Sequence, residues 1–150
     1  ETSSRGHNCP IINGQYQANV PETRSYTSFC DGVFSVDFRE LYNIPKLKKL
    51  VRRFKATNTS VKVTEEFEIT GEWSFTERFV SYKKPKISDG VIEIDGVYVK
   101  FDPSKGKATY TTDMHYTKNL DDTVNETLVY LTDIKVLSYG EFEFIMDTNK

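Results

Sequence analysis

The chain has two histidines in 150 residues. One of them opens the stretch Arg5-Gly6-His7-Asn8-Cys9-Pro10-Ile11-Ile12-Asn13-Gly14-Gln15-Tyr16-Gln17. Imidazole is the commonest protein ligand for zinc and the usual general base near neutral pH. Here it enters a short apolar run that closes on Asn13-Gly14, a dipeptide whose ordinary role is a tight turn. Asn8 is placed either to orient the imidazole or to bond an adjacent strand. A zinc site takes three or four donors, and one histidine supplies one. Glu1, not a methionine, starts the chain six residues before His7, and the expectation is that the partners of His7 lie upstream.

Other reactive side chains carry weaker signals. His115, in Asp113-Met114-His115-Tyr116, is expected in a loop or at a strand end, solvated or capping. Tyr98, Tyr110 and Tyr116 each offer a phenol, but tyrosines in a β protein mostly pack with a wet hydroxyl. Residues 46–55 hold six cations, able to grip sulfates or carboxylates, or simply a solvated face balanced by nearby acids. Cys9 and Cys30 either remain two buried thiols or form one bridge, which would stabilise by roughly 3 kcal/mol in the chain-entropy model. Asn58-Thr59-Ser60 and Asn125-Glu126-Thr127 match the glycosylation sequon, which carries meaning only in a secreted eukaryotic protein.

Alternation of period two supplies the elements that must position these groups. Val61, Val63, Glu65, Phe67 and Ile69 interleave with Lys62, Thr64, Glu66 and Glu68, the pattern of a strand with one wet face. Trp73, Phe75, Glu77 and Phe79 continue it after Gly71. Ile92-Glu93-Ile94 and Val97-Tyr98-Val99-Lys100-Phe101 flank Asp95-Gly96, the clearest hairpin, since Asp-Gly suits the positive-φ positions of a type I′ turn. Further strands are predicted over 108–112, 127–136 and 141–146, with loops at 102–107 and 138–140. Leu47, Leu50, Val51 and Phe54 fall at helical spacing, which predicts a short helical turn ending near Leu50 before a strand resumes. Together these predict one all-β domain over 1–150, an antiparallel β-sandwich of two sheets with at most one short helix.

Composition bounds the function. Aromatics make up 13% of the residues and compensate a modest apolar content in filling a core. A formal net charge of −2 gives no global field to attract nucleic acid. No run of 18 apolar residues occurs, so no helix is expected to span a membrane.

The opening segment resembles the motif His-Asn-x-x-x-x-(Asp/Asn)-Gly-x-x-Gln of the heparinase II/III-like polysaccharide lyases, matched by His7, Asn8, Asn13, Gly14 and Gln17. The segments 41–54, 61–69 and 79–94 are similar to that family in spacing and pattern, with Glu65 in an acidic position of the family's strand. The resemblance implies a two-part enzyme. An N-terminal α/α toroid carries most catalytic groups, and a C-terminal β-sandwich adds a histidine and a zinc site. Both face an acidic, uronate-containing polysaccharide such as heparan sulfate or alginate, which is cut by β-elimination. By position His7 corresponds to the last zinc ligand. No His-x-His occurs in this chain, and no Asp-Gly precedes His7, where the family has both segments.

On this resemblance the chain is the C-terminal β-sandwich of a periplasmic or secreted bacterial lyase. It is expected to be inactive by itself, to partner the toroid, and to lend His7 to a zinc site completed in the intact parent. The alternative is a non-catalytic carbohydrate-binding or structural module that uses exposed aromatics such as Trp73 or Tyr82 as a stacking platform.

Overall fold

A computed structural model describes residues 4–18 and 22–150. The period-two pattern folds as twelve strands: β1 (Ile11–Ile12), β2 (Tyr26–Cys30), β3 (Val33–Asp37), β4 (Leu47–Ala56), β5 (Ser60–Ile69), β6 (Phe75–Ser81), β7 (Lys86–Ser88), β8 (Val91–Ile94), β9 (Val97–Phe101), β10 (Gly106–Lys118), β11 (Val124–Val136) and β12 (Glu141–Asp147). They form two antiparallel sheets, one of four strands in the order β1-β6-β11-β10 and one of eight in the order β2-β3-β4-β5-β12-β9-β8-β7. The expected all-β sandwich is what forms. Among the described residues the only helical pieces are short 3-10 turns at Ser4–Gly6 and Arg39–Leu41, and no helix is long and apolar enough to cross a membrane.

The alternating apolar faces meet between the sheets. Phe67 on β5 stacks on Phe75 of β6 with ring centroids 4.4 Å apart, and Phe79 meets Phe144 of β12 edge-on at 5.3 Å. Ile92, Val99, Ile134 and Phe142 complete the buried layer. Asp95-Gly96 turns the β8–β9 hairpin with φ of 49° and 84°, as predicted.

The helical turn expected at 47–50 does not form. Leu47 pairs with Ile69 and Lys49 with Glu68, so the register slips between Leu47 and Lys49. This bulge inserts a residue and flips the alternation, which turns Leu47 and Leu50 to the same buried side and mimics helical spacing. Two further differences concern extent: the strands expected at 108–112 and 127–136 run on to Lys118 and back to Val124. His115 accordingly lies within β10, not in a loop. The hairpin β2–β3 was not expected, although Asp31-Gly32 carries the same turn chemistry as Asp95-Gly96.

Gly106 marks where β10 crosses the core. A Cβ built there would lie 2.8 Å from Ile134 Cγ2 and 3.1 Å from a Phe142 ring carbon. Gly106→Ala is therefore expected to destabilise by about 1–3 kcal/mol through overpacking, read as a lower denaturation midpoint with an unchanged m-value.

Candidate functional site

Three charged residues occupy positions where alternation puts side chains in the core. Arg52 lies between Leu50 and Phe54 on β4, Glu65 between Val63 and Phe67 on β5, and Glu77 between Phe75 and Phe79 on β6. Glu65 is 0% exposed and Glu77 1%. Arg52 Nε donates to Glu65 Oε1, and its Nη2 donates to Glu77 Oε1 at 2.7 Å. The guanidinium sits 5.6 Å from the centre of the Phe38 ring and reaches the carbonyl of Asn8 at 3.4 Å. One cation from the eight-stranded sheet thus holds a carboxyl group from each sheet.

Two acids on one base leave the charge unbalanced unless a proton is retained. Burial raises both carboxyls while Arg52 pulls them back, and Glu77 is pushed up to about 8, further raised by the neighbouring Glu65. Glu65 Oε2 and Glu77 Oε2 are buried and have no partner as ionised oxygens. A proton on Glu77 makes it a donor to Glu65 and satisfies both. The cluster is then neutral as a whole. Burial works against the charge on Arg52, but the two carboxylates outweigh it and raise its pKa. Cys9 and Tyr42 border the cluster, and burial raises both. The Tyr42 hydroxyl donates to the carbonyl of Pro10 at 2.6 Å. A carboxyl kept protonated at neutral pH is the equipment of a general acid. Here, with its oxygens enclosed, it acts as a polar lock between the sheets.

The segment carrying His7 lies along the outer face of the four-stranded sheet. Asn8 Oδ1 accepts from the Val80 amide at 2.7 Å, so of the two roles open to Asn8 it takes the strand bond. Asn13-Gly14 is a turn with φ of 49° and 72°, and Asn13 Oδ1 accepts from the Ser74 amide at 2.7 Å. Beneath the segment, Arg78 pairs with both oxygens of Asp133 at 2.7 Å and donates to the carbonyl of Arg5 at 3.3 Å. Arg5 also pairs with Asp113 at 3.1 Å, and the His115 imidazole packs directly against Gly6. His7 itself is exposed. Among the described residues no group of three or more His, Cys, Asp or Glu is placed to hold a metal, so these residues do not make a zinc site around His7. Cys9 is half-buried and Cys30 exposed, and both are free thiols. Neither the bridge nor the pair of buried thiols forms.

Strand alternation divides the cationic run at 46–55. Lys49 and Arg53 point outward and share Glu66 of β5, Arg53 at 2.6 Å, and these hydrogen bonds, Lys49's first, lower the Glu66 pKa. Arg52 points inward. Trp73 is not an open platform, since it packs 5.6 Å from Phe67 and 5.4 Å from Tyr139. Tyr82 is exposed.

An open aromatic face lies elsewhere. β11 pairs with β6 only from Lys135 to Tyr130, while its pairing with β10 continues to Val124. The outer part of the β10–β11 hairpin is therefore a two-stranded ribbon extending past the end of β6. Its core-facing register carries Tyr110, Met114 and Tyr116 on β10 opposite Thr132, Leu128 and Glu126, with Tyr130 and Val124 on the same face of β11. Tyr110 and Tyr130 meet at 6.1 Å, and the Lys84 ammonium lies 5.9 Å over the Tyr110 ring. Tyr116, Leu128 and Val124 remain exposed, as does Leu120 in the connecting turn. No model of a known protein family matches the chain, and no curated protein matches it.

Proposed function

We propose that this β-sandwich is a module of a secreted protein that binds acidic, uronate-containing polysaccharide on the inner face of the β10–β11 ribbon. The observation that carries this is the cation-capped tyrosine surface, with Lys84 over Tyr110, Tyr130 alongside and Tyr116 exposed further along the same face. A pyranose ring presents an apolar C–H face that lies flat on an aromatic side chain, and the phenol hydroxyl serves the sugar's hydroxyls. Lys84 supplies charge for carboxylates or sulfates, with Lys118, ion-paired to Asp122 at 2.6 Å, further along the face, and such contacts at an open rim steer association and weaken with salt. Calorimetric titration with alginate and heparan sulfate oligosaccharides tests it. Tyr116→Ala and Lys84→Ala are each expected to weaken binding roughly tenfold, equivalent to about 1.4 kcal/mol. A wild-type chain that binds neither glycan, or variants that bind as wild type does, would overturn the proposal.

The resemblance to heparinase II/III-like lyases extends this reading, with the module walling one side of a cleft and a toroid domain bringing the eliminating groups. One observation favours it. The Asn8–Val80 bond holds the segment against β6 beside an exposed His7, which leaves this histidine reachable from outside. Joining the chain to a toroid partner and following the ultraviolet absorbance of unsaturated product tests that extension. Product from residues 1–150 alone contradicts the assignment of catalysis to the toroid.

A further inference from the structure

A sheet edge offers unpaired N–H and C=O groups to any passing strand, and proteins protect edges with charge, proline, bulges or brevity. Of the four edges here, β1 has two residues and β7 has three, including Lys86. β10 is long but carries Lys107, Asp113 and Lys118. β2 has no such device. Its five residues Tyr26-Thr27-Ser28-Phe29-Cys30 are all exposed, uncharged and free of Pro and Gly, and Phe29 is 74% exposed.

The turn after β2 fixes which groups face outward. Asp31 and Gly32 have φ of 50° and 75°, a two-residue type I′ turn, in which the flanking Cys30 and Val33 exchange both their hydrogen bonds. Alternation then directs the amides and carbonyls of Thr27 and Phe29 away from β3. We propose that β2 pairs antiparallel with β2 of a second copy of this chain, across a two-fold axis at Ser28, fusing two eight-stranded sheets into one. Thr27 and Phe29 of each copy exchange both backbone bonds with Phe29 and Thr27 of the other, and Ser28 faces its own counterpart in a non-hydrogen-bonded pair. The same register sets Ser25 opposite Asp31 and Arg24 opposite Gly32. Arg24 thereby comes next to the Asp31 of the second copy, once at each end. Both residues are exposed and enter no ion pair among the described residues. A self-complementary patch of this kind closes as a dimer.

Sedimentation and light scattering across a dilution series are expected to give twice the 17.3 kDa chain mass at the concentrated end. Thr27→Pro removes an outward N–H without touching the ladder to β3 and is expected to return the single-chain mass. Should that variant lose its native circular dichroism, Phe29→Lys, which sets a charge on the same edge, is expected to give the same monomer. In a Cys30→Ser background, Ser28→Cys is expected to form a disulfide-linked dimer on mild oxidation, because directly opposite Cβ atoms lie about 4.5–5.5 Å apart. A single-chain mass at every concentration overturns the proposal. So does a dimer indifferent to the edge substitutions, or one in which the Ser28→Cys chains do not cross-link.

Discussion

Replacing Arg52 by methionine is expected to cost about 3–5 kcal/mol of folding stability, the penalty for breaking a buried ion pair from one side. Among the described residues Arg52 is the one cation paired with both Glu65 and Glu77. Without it, two buried carboxyls face each other with no positive charge and must both take protons at neutral pH. The defect is electrostatic, not steric, because methionine fills much of the arginine stem's volume along Phe38 and replaces its packing. Replacing all three members, Arg52→Met with Glu65→Leu and Glu77→Leu, is therefore expected to recover much of the loss, as fully apolar replacements of buried ionic clusters do. Chemical denaturation of the single and triple variants makes the comparison. An Arg52→Met chain within about 1 kcal/mol of wild type would remove the cluster from any role in holding the sheets together.

The lock was legible in part. Glu65 and Glu77 stand out in the sequence as acids at apolar-face positions of Val61-Val63-Glu65-Phe67-Ile69 and Phe75-Glu77-Phe79. Arg52 does not, because it is hidden among five other cations and because the bulge at Leu47–Lys49 changes which of them face inward. A strand pattern says which side a residue faces, not which residue lies across the core, so the meeting of β4, β5 and β6 could not be read. The same holds for His7, which sits on an irregular segment where no periodicity operates. Its fixed position depends on Asn8 meeting Val80, 72 positions along the chain. The sandwich itself was readable because nearly every strand has one wet face, and the β8–β9 hairpin because Asp-Gly dictates its turn. The β2–β3 hairpin escaped because its strands bury little: β2 is exposed on both faces, so hydrophobic alternation, the signal used to find strands, is absent there.

The second large effect is a fall in stability as pH rises from weakly acidic through neutral. Glu77 holds its proton in the folded chain up to about 8, whereas an unfolded glutamate releases it near its ordinary value of about 4.3. Between those limits the native state binds more protons than the unfolded one, so stability declines with rising pH and levels off above the folded pKa. A shift of this size corresponds to several kcal/mol, at about 1.4 kcal/mol per pKa unit, and Glu65, also raised by burial, acts in the same direction. Arg52 faces the pair and stays charged throughout. The bordering Cys9 and Tyr42, raised by burial as well, extend the decline on the alkaline side. The lowered pKa of Glu66, held by Lys49 and Arg53, works oppositely, giving stability that is lost as pH falls through its folded value. The optimum therefore lies in weak acid. Glu77→Gln keeps a hydrogen-bond donor toward Glu65 but cannot ionise, so its denaturation midpoint is expected to change much less between about pH 5 and about pH 9 than that of wild type. Equal slopes for the two proteins would mean that Glu77 holds no proton between the sheets.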